Sequence, residues 1–401
     1  MIDNSKNDIL PLNGVKIARI STVPFFVLTQ LKEQIEFLEK LGATVTIITS
    51  PGPEISKLES IPGVEVIAHD IPREVLPIRN FIALFRLMKL FSKRKFDIIH
   101  STTPMAGLLT SIAAFTTKNP LRLHTFTGQR WVDLNGPRYW SSKFSDIIIA
   151  RLNTLCYVDS LNQKFFLVNH KIAKDEALKV IGHGSLAGVN IHRFNQKNFN
   201  IKSNKLLRKS MNIPFDANVL LFVGRINIDK GIKELILAFA KLKKSGSDAH
   251  LILVGPMEDK SGLINKLVKK KSSFYKSIHL IGSSSFPEKY MAISDILCLP
   301  SYREGFGTVV IEAASMGIPT IGTNIYGLSD AIIDGETGIL VPLRDSNALF
   351  KALEFLLSNK DILKKMGNAA LLRSYNIFSA DKVNLALVNE YKQLLINNRK
   401  K

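Results

Sequence analysis

What most constrains this chain is an alternation repeated along nearly its whole length: a short apolar run, a turn, then a segment of helical periodicity. Val15 to Ser21 opens the series as a strand, and Leu31, Ile35, Leu38 and Leu41 then share one face of a helix that Gly42 ends. Ala43 to Ser50, Val64 to His69, Phe96 to His100, Leu121 to Thr127, Leu155 to Val158 and Leu178 to Ile181 continue it. A second series follows: Val219 to Val223, His250 to Val254, Ile278 to Ile281, Asp295 to Leu299, Thr320 to Gly322, and Gly338 to Val341. Strands alternating with helices make βαβ units, and such units build parallel sheets. The expected fold is therefore α/β, with two Rossmann-like parallel-sheet domains. Ligands are expected beyond the carboxyl ends of the strands.

At 401 residues the chain is long enough for two domains, and 46% apolar residues supply a core for each. The polar, Lys- and Asn-rich stretch from about Asn190 to Pro214 reads as the region between them. The expected division gives residues 1–195 to the first domain and 196–378 to the second. A helical pattern over 379–401 (Val383, Leu387, Tyr391, Leu394) ends the chain. No uninterrupted apolar run reaches about 18 residues, so no membrane-spanning helix is expected. Met1 to Asn13 carries Asp3 and Asp8 and has no apolar centre, unlike a secretory leader. Cys156 and Cys298 sit in apolar runs and read as small core residues. Together these features fit a cytosolic, reduced protein. The net charge of +20 points to polyanions: nucleic acid, anionic lipid or phosphorylated substrates.

The richest stretch runs from Pro300 to Pro319, after the apolar run Asp295–Leu299. A strand, a glycine-bearing loop and a helix starting near Thr308 make an anion site, because the first helical amides lack partners and the dipole is positive there. Gly305 and Gly307 let backbone amides approach a phosphate with no Cβ in the way. Two acids bracket the loop, Glu304 before it and Glu312 about one turn into the helix. Beside a diphosphate they make sense if each accepts hydrogen bonds from sugar hydroxyls. The plainer alternative is that Glu304 only complements the helix dipole.

Pro-Ser-x-x-Glu-Gly-Phe-Gly, with seven residues between Glu304 and Glu312, resembles the donor-site signature of the retaining glycosyltransferases of family 4. The resemblance is strong from about Leu220 to Pro342 and weaker before it. It implies the GT-B fold, two Rossmann-like domains facing each other across a cleft, with a terminal helix crossing back to the first. It implies that Glu312 holds the ribose and Glu304 the transferred sugar, while Gly305, Phe306, Gly307 and Thr308 carry the donor on their loop. Gly224-Arg225 and Lys230-Gly231 match the family's Gly-Arg…Lys-Gly pair. Arg225 and Lys230 then neutralise the leaving diphosphate, a role suited to fixed cations at a strand's carboxyl end. No Asp-x-Asp or His cluster stands out to hold a metal, and no cofactor is expected beyond the donor itself. Gly255 and the segment Ser283–Phe286 with Glu288 correspond to nucleobase contacts. Ser329-Asp330 stands where many relatives have a glutamate, and reads better as an N-cap for a helix at Ala331.

In the first domain, relatives often carry a histidine near the end of the strand Leu121–Thr127; here that position is Thr127, with His124 nearby. His124 is either a site residue or a strand-face histidine. Gln129, Arg130 and Trp131 resemble a capsule and O-antigen branch of the family, which places Gln129 and Arg130 on the acceptor side. The first βα loop, Ser21-Thr22-Val23-Pro24-Phe25-Phe26, is apolar where relatives have paired glycines, and Thr22 is a further acceptor-side candidate. Gly182 to Gly188 nearly spells a dinucleotide fingerprint but is one residue too long. It is more similar to the family's interdomain loop, which implies His183 and Asn190 near the cleft, Asn190 on the acceptor side.

The expected activity is thus transfer of a sugar from a nucleotide diphosphate sugar, UDP-linked, to a glycan acceptor carried on a polyprenyl diphosphate in bacterial surface polysaccharide synthesis. A helix over Asn80 to Phe96 with Arg86, Lys89 and Lys93 on one face fits either a solvated sheet-covering helix or an anionic membrane surface. The second option would make the protein peripheral at the inner face of the cytoplasmic membrane. Two alternatives remain: a nucleotide-sugar epimerase of the same architecture, and a basic membrane- or nucleic-acid-binding protein. The dispersed Lys and Arg and the lack of a recognised motif speak against nucleic acid.

Overall fold

The computed structural model describes residues 11–259, 261, 262, 264, 266, 267 and 273–400. Most of the polar stretch read against a secretory leader, up to residue 10, lies outside the described residues. The chain forms two compact units. One runs to Ala187 and takes in the terminal helix Ala380–Arg399; the other spans Gly188–Ser379.

In the first unit β1 (Lys16–Ser21), β2 (Thr44–Thr49), β3 (Val64–Ala68), β4 (Ile98–Thr102), β5 (Leu121–Phe126), β6 (Leu155–Val158) and β7 (Leu178–Val180) form one sheet in the order β3-β2-β1-β4-β5-β6-β7, every pairing parallel. In the second unit β8 (Val219–Val223), β9 (His250–Val254), β10 (Ile278–Gly282), β11 (Ile296–Leu299), β12 (Thr320–Thr323) and β13 (Gly338–Val341) form a second parallel sheet, ordered β10-β9-β8-β11-β12-β13. Helices cover these sheets, so central strands such as Val-Leu-Leu-Phe-Val in β8 are apolar without alternation and almost wholly buried. In each sheet the strand order reverses once, between β1 and β4 and between β8 and β11. Loops leaving adjacent strands diverge there, and the gap is where an open α/β sheet admits a ligand.

Four local expectations change. The stretch Asn190–Pro214 is not a spacer: it contains the helix Ile201–Ser210, and its Phe194 and Ile213 are buried in the second unit's core. Arg208 Nη2 donates to the Ile293 carbonyl (2.8 Å), and Ser315 Oγ to that of Phe194 (2.6 Å). Paired polar side chains, not flexibility, explain its composition. The helix expected from Asn80 begins earlier, at Pro77, because proline at the first helical position forgoes an amide that has no partner anyway. The apolar first βα loop is mostly helix: Pro24 starts a turn that continues as a π-helical stretch, Val27–Leu31, into the helix Lys32–Lys40. No helix starts at Ala331. The backbone turns there, and Arg373 holds the carbonyls of Asp330 and Ala331 (2.6 and 2.7 Å).

The terminal helix joins the first unit through a buried polar knot. Arg19, on β1 and 1% exposed, reaches Tyr391 Oη (3.0 Å), Gln34 Oε1 (2.8 Å) and His100 Nδ1 (2.5 Å). His100 Nε2 meets Thr125 Oγ1 at 2.7 Å, and burial, with Arg19 beside it, holds its imidazole neutral. All of these partners are uncharged.

A candidate donor site at the switch point of the second sheet

The loop after β8 turns sharply at Gly224 and Arg225, then makes a short 3₁₀ turn, Ile228–Lys230, capped by the Asn227 side chain (Oδ1 to Lys230 N, 3.2 Å). Gly231 follows in the left-handed region (φ 67°), and a Cβ on it would overlap the Pro300 carbonyl. The loop after β11 therefore packs directly on the loop after β8, as the switch point requires. Tyr302 N, donating to the Asp229 carbonyl at 2.8 Å, ties the two together.

At this junction Lys230 Nζ lies 2.6 Å from Glu304 Oε1, and Ser301 Oγ donates to the same oxygen at 2.7 Å. Both charged side chains are largely covered, 14% and 15% exposed, so their attraction is little screened. Two residues expected at neighbouring parts of the donor, its diphosphate and its sugar, are thus one ion pair in this structure. Arg225 sits at the rim, 48% exposed, paired with Glu258 (2.9 Å) and more loosely with Asp229 (3.6 Å), which also faces Arg303 (3.9 Å). Lys230 and Arg225 are each held by carboxylates at fixed positions.

Gly307 is left-handed (φ 70°) and caps the helix Thr308–Ser315 without a side-chain bond. Phe306 is buried, edge-on to Phe378 (5.2 Å between centroids), so it anchors the loop from below instead of offering its ring to a ligand. Glu312 lies half-buried within the helix, one turn past Thr308. Gly327 lets a further loop pass the Glu304 carbonyl, where any Cβ would clash. The loop after β9 does the same from the other side: a Cβ on Gly255 (φ 144°) would overlap the Gly224 carbonyl. Beyond β10, Phe286 is exposed with Lys289 over its ring (4.7 Å), while Glu288 is buried against Arg193 (2.9 Å). Gly224, Arg225, Lys230, Gly255, Glu304, Gly305, Gly307 and Thr308 thus gather at the carboxyl end of one sheet. Asp229 and Glu258 complete the charge pattern, and neither belongs to the signature read from the sequence. Asp229, four residues beyond Arg225, was the visible hint. Among the described residues no group of three or more His, Cys, Asp or Glu side chains stands close enough to hold a metal ion.

The first unit's candidates scatter. His124 is 1% exposed, bonded to Ser101 Oγ (2.9 Å) and packed edge-on to Phe126; burial pushes its pKa down to about 3. It sits on the strand face against Gly107, where a Cβ would strike its ring. Thr127, half-buried just past the end of β5, stands at the carboxyl edge instead. Thr22 is buried; its hydroxyl accepts from the Ala106 amide (3.3 Å) and pairs with Thr103 (2.9 Å), joining the loops after β1 and β4. Gln129 is fully buried, accepting from Gln163 (3.3 Å), and Arg130 is exposed. Trp131 donates to the buried Asp146 (2.8 Å), whose carboxyl burial pushes up to about 7. Asn190 belongs to the second unit, its Oδ1 accepting from the amides of His192 and Arg193 (3.0 and 2.9 Å).

Sequence profiles of known proteins match stretches in both units. The profile described as "Glycosyl transferases group 1" matches residues 203–373, and "Glycosyl transferase 4-like" matches residues 16–158. The capsular polysaccharide biosynthesis glycosyltransferase CapM of Staphylococcus aureus is 31% identical over 374 residues, 91% of this chain and 94% of CapM. A glycosyltransferase structure from Rickettsia africae superposes with a TM-score of 0.80 at 23% identity, covering 96% of this chain and 100% of that one. Anabaena HepE, solved with UDP and glucose, gives 0.76 at 16% identity, covering 94% and 99%.

Proposed function

The chain belongs to the glycosyltransferases, in the family these profiles describe, and on that premise we propose that it moves a sugar from a UDP-sugar to a hydroxyl of a growing glycan with retention at the anomeric carbon. The observation that carries the reading is the Lys230–Glu304 pair at the switch point of the second sheet. An ammonium has three donors, so Lys230 can keep Glu304 and still meet a phosphate oxygen. Glu304, oriented by Lys230 and Ser301, offers its other oxygen to sugar hydroxyls, and Glu312 takes the ribose. Arg225 supplies the second cation, and together the two neutralise the leaving diphosphate without a metal ion. In the front-face route the anomeric C–O bond to the diphosphate breaks while the acceptor oxygen bonds to the same face. The acceptor's proton passes to the departing phosphate oxygen.

The acceptor we infer is a glycan on a polyprenyl diphosphate, in synthesis of a bacterial surface polysaccharide. The naming of CapM for capsule synthesis supports this, as does the net charge of +20. Thermal melts with UDP-, GDP-, ADP- and dTDP-sugars in metal-free buffer test the donor. A UDP-sugar is expected to raise the Tm of wild type and not of Glu312→Ala, by about 2.7 kcal/mol of apparent stability at a hundredfold excess over Kd. Turnover of that donor, with the product's anomeric configuration read by NMR, tests the stereochemistry. No shift with any nucleotide sinks the donor site, and an inverted product sinks the front-face route.

A further inference from the structure

The helix Pro77–Lys93 is apolar on two faces, and folding uses only one. Ala83, Leu87 and Phe91 are buried against the first sheet and the helix Pro104–Thr116. On the opposite side Ile78, Phe81 and Phe85 are 77%, 68% and 62% exposed, with Ile82 beside them. At 100° per residue these four share one arc, and Lys89 and Lys93 continue the same arc into the last turns, with Arg86 along its edge. The helix has no acidic residue, and no carboxylate among the described residues pairs with Arg86, Lys89 or Lys93. The helix Gly136–Leu152, packed on the other flank of Pro104–Thr116, exposes Trp140 and Phe144 (66% and 60%). Lys143 lies over the Trp140 ring (5.9 Å). All three helices form one layer on the first sheet, and each begins at that sheet's carboxyl end.

We propose that this layer docks on an anionic lipid bilayer, with Ile78, Phe81, Ile82 and Phe85 entering the interface and Arg86, Lys89 and Lys93 facing the headgroups. Exposed apolar side chains suit a fluid bilayer, which needs no matching pocket. The unbalanced positive charge selects an anionic one. Trp140 is the residue type that prefers the headgroup level. The helix lies on the membrane and does not cross it: it is 17 residues long with four basic side chains, and no described helix is long and apolar enough to span. Docking places the carboxyl end of the first sheet, with Thr22 and Thr127, near the bilayer. A lipid-borne acceptor would then arrive without leaving the membrane. That consequence rests on the transferase reading; the docking does not.

Flotation of the full chain with phosphatidylcholine vesicles, with and without phosphatidylglycerol, at low and high salt, tests the proposal. Wild type is expected to float with phosphatidylglycerol vesicles. The double variant Ile78→Ser/Phe81→Ser should lose about tenfold or more in affinity at both salts. Arg86→Gln/Lys89→Gln should lose about fivefold per charge, at low salt only. Tm and its shift on adding donor should stay unchanged in both variants, so a failed docking surface and a failed donor site read out separately. Unaltered flotation of Ile78→Ser/Phe81→Ser overturns the proposal. So does wild type that ignores vesicles but passes from dimer to monomer on that substitution, which would make the face a contact between copies of this chain.

Discussion

His124 lies within β5 and Thr127 one residue past its end, three positions apart. His124 went under a helix and lost its charge; Thr127 stayed at the edge. Nothing in Leu121–Thr127 alone distinguishes the two outcomes. Lys230 and Glu304 are 74 positions apart, and only the meeting of two loops makes them a pair. Lys230→Ala should cut kcat/KM by about 10²–10³, the scale of losing one fixed charge on the transition state. It should also lower stability by roughly 1–3 kcal/mol, because it strands a covered carboxylate. Arg225→Ala should lower kcat/KM while shifting stability by less than about 1 kcal/mol, since its pairs are exposed. Kinetics beside chemical denaturation checks both. Full activity of Lys230→Ala would remove this residue from the mechanism.

At the scale of elements, strands were legible because a strand covered on both sides must be apolar throughout, and the runs at β8, β9 and β11 say so directly. Edges were less legible. The run starting at Phe96 becomes a strand only from Ile98, and the helix start at Pro77 lay hidden behind an apparent cap at Asn80. Glycine spacing carried more of the site than the acids did. Gly255 is where the loops after β8 and β9 touch backbone to backbone, so Gly255→Ala should force them apart, costing more than about 2 kcal/mol and abolishing the donor-induced shift. Gly335 also has a positive φ (75°, against 144° at Gly255) but open space around it; Gly335→Ala should cost only about 1 kcal/mol and leave the shift intact. A loss at Gly255 no larger than that at Gly335 would mean that the loop contact adds nothing to the requirement.

For the whole molecule, pH reaches stability through buried acids of the first unit. Asp159, just after β6, has its pKa pushed up to about 8 by burial alone. In the fold it keeps its proton from about pH 4 to about pH 8, while the unfolded chain has lost it, so stability falls as pH rises through that window. The slope is at most about 1.4 kcal/mol per pH unit. Asp146 acts in the same direction up to about pH 7. His124 acts oppositely below about 6.5, where the unfolded chain gains a proton that the buried ring refuses. The Tm of Asp159→Asn relative to wild type should therefore climb from pH 5 to pH 8; a constant difference would show that the carboxyl is not held protonated.

Sequence by itself determined the two parallel sheets, the glycine-bearing turns and the donor motif, because each follows from local rules: burial on both strand faces, backbone room at a turn, fixed spacing along one loop. Tertiary structure alone decided what depends on distant partners. It brought Lys230 to Glu304, put the neutral partners of Arg19 on β4, the helix Lys32–Lys40 and the terminal helix, and packed the polar stretch after Asn190 onto a core. It also left the outer face of Pro77–Lys93 uncovered. An amphipathic pattern records that a helix has an apolar side; which side meets the protein is settled by what packs against it.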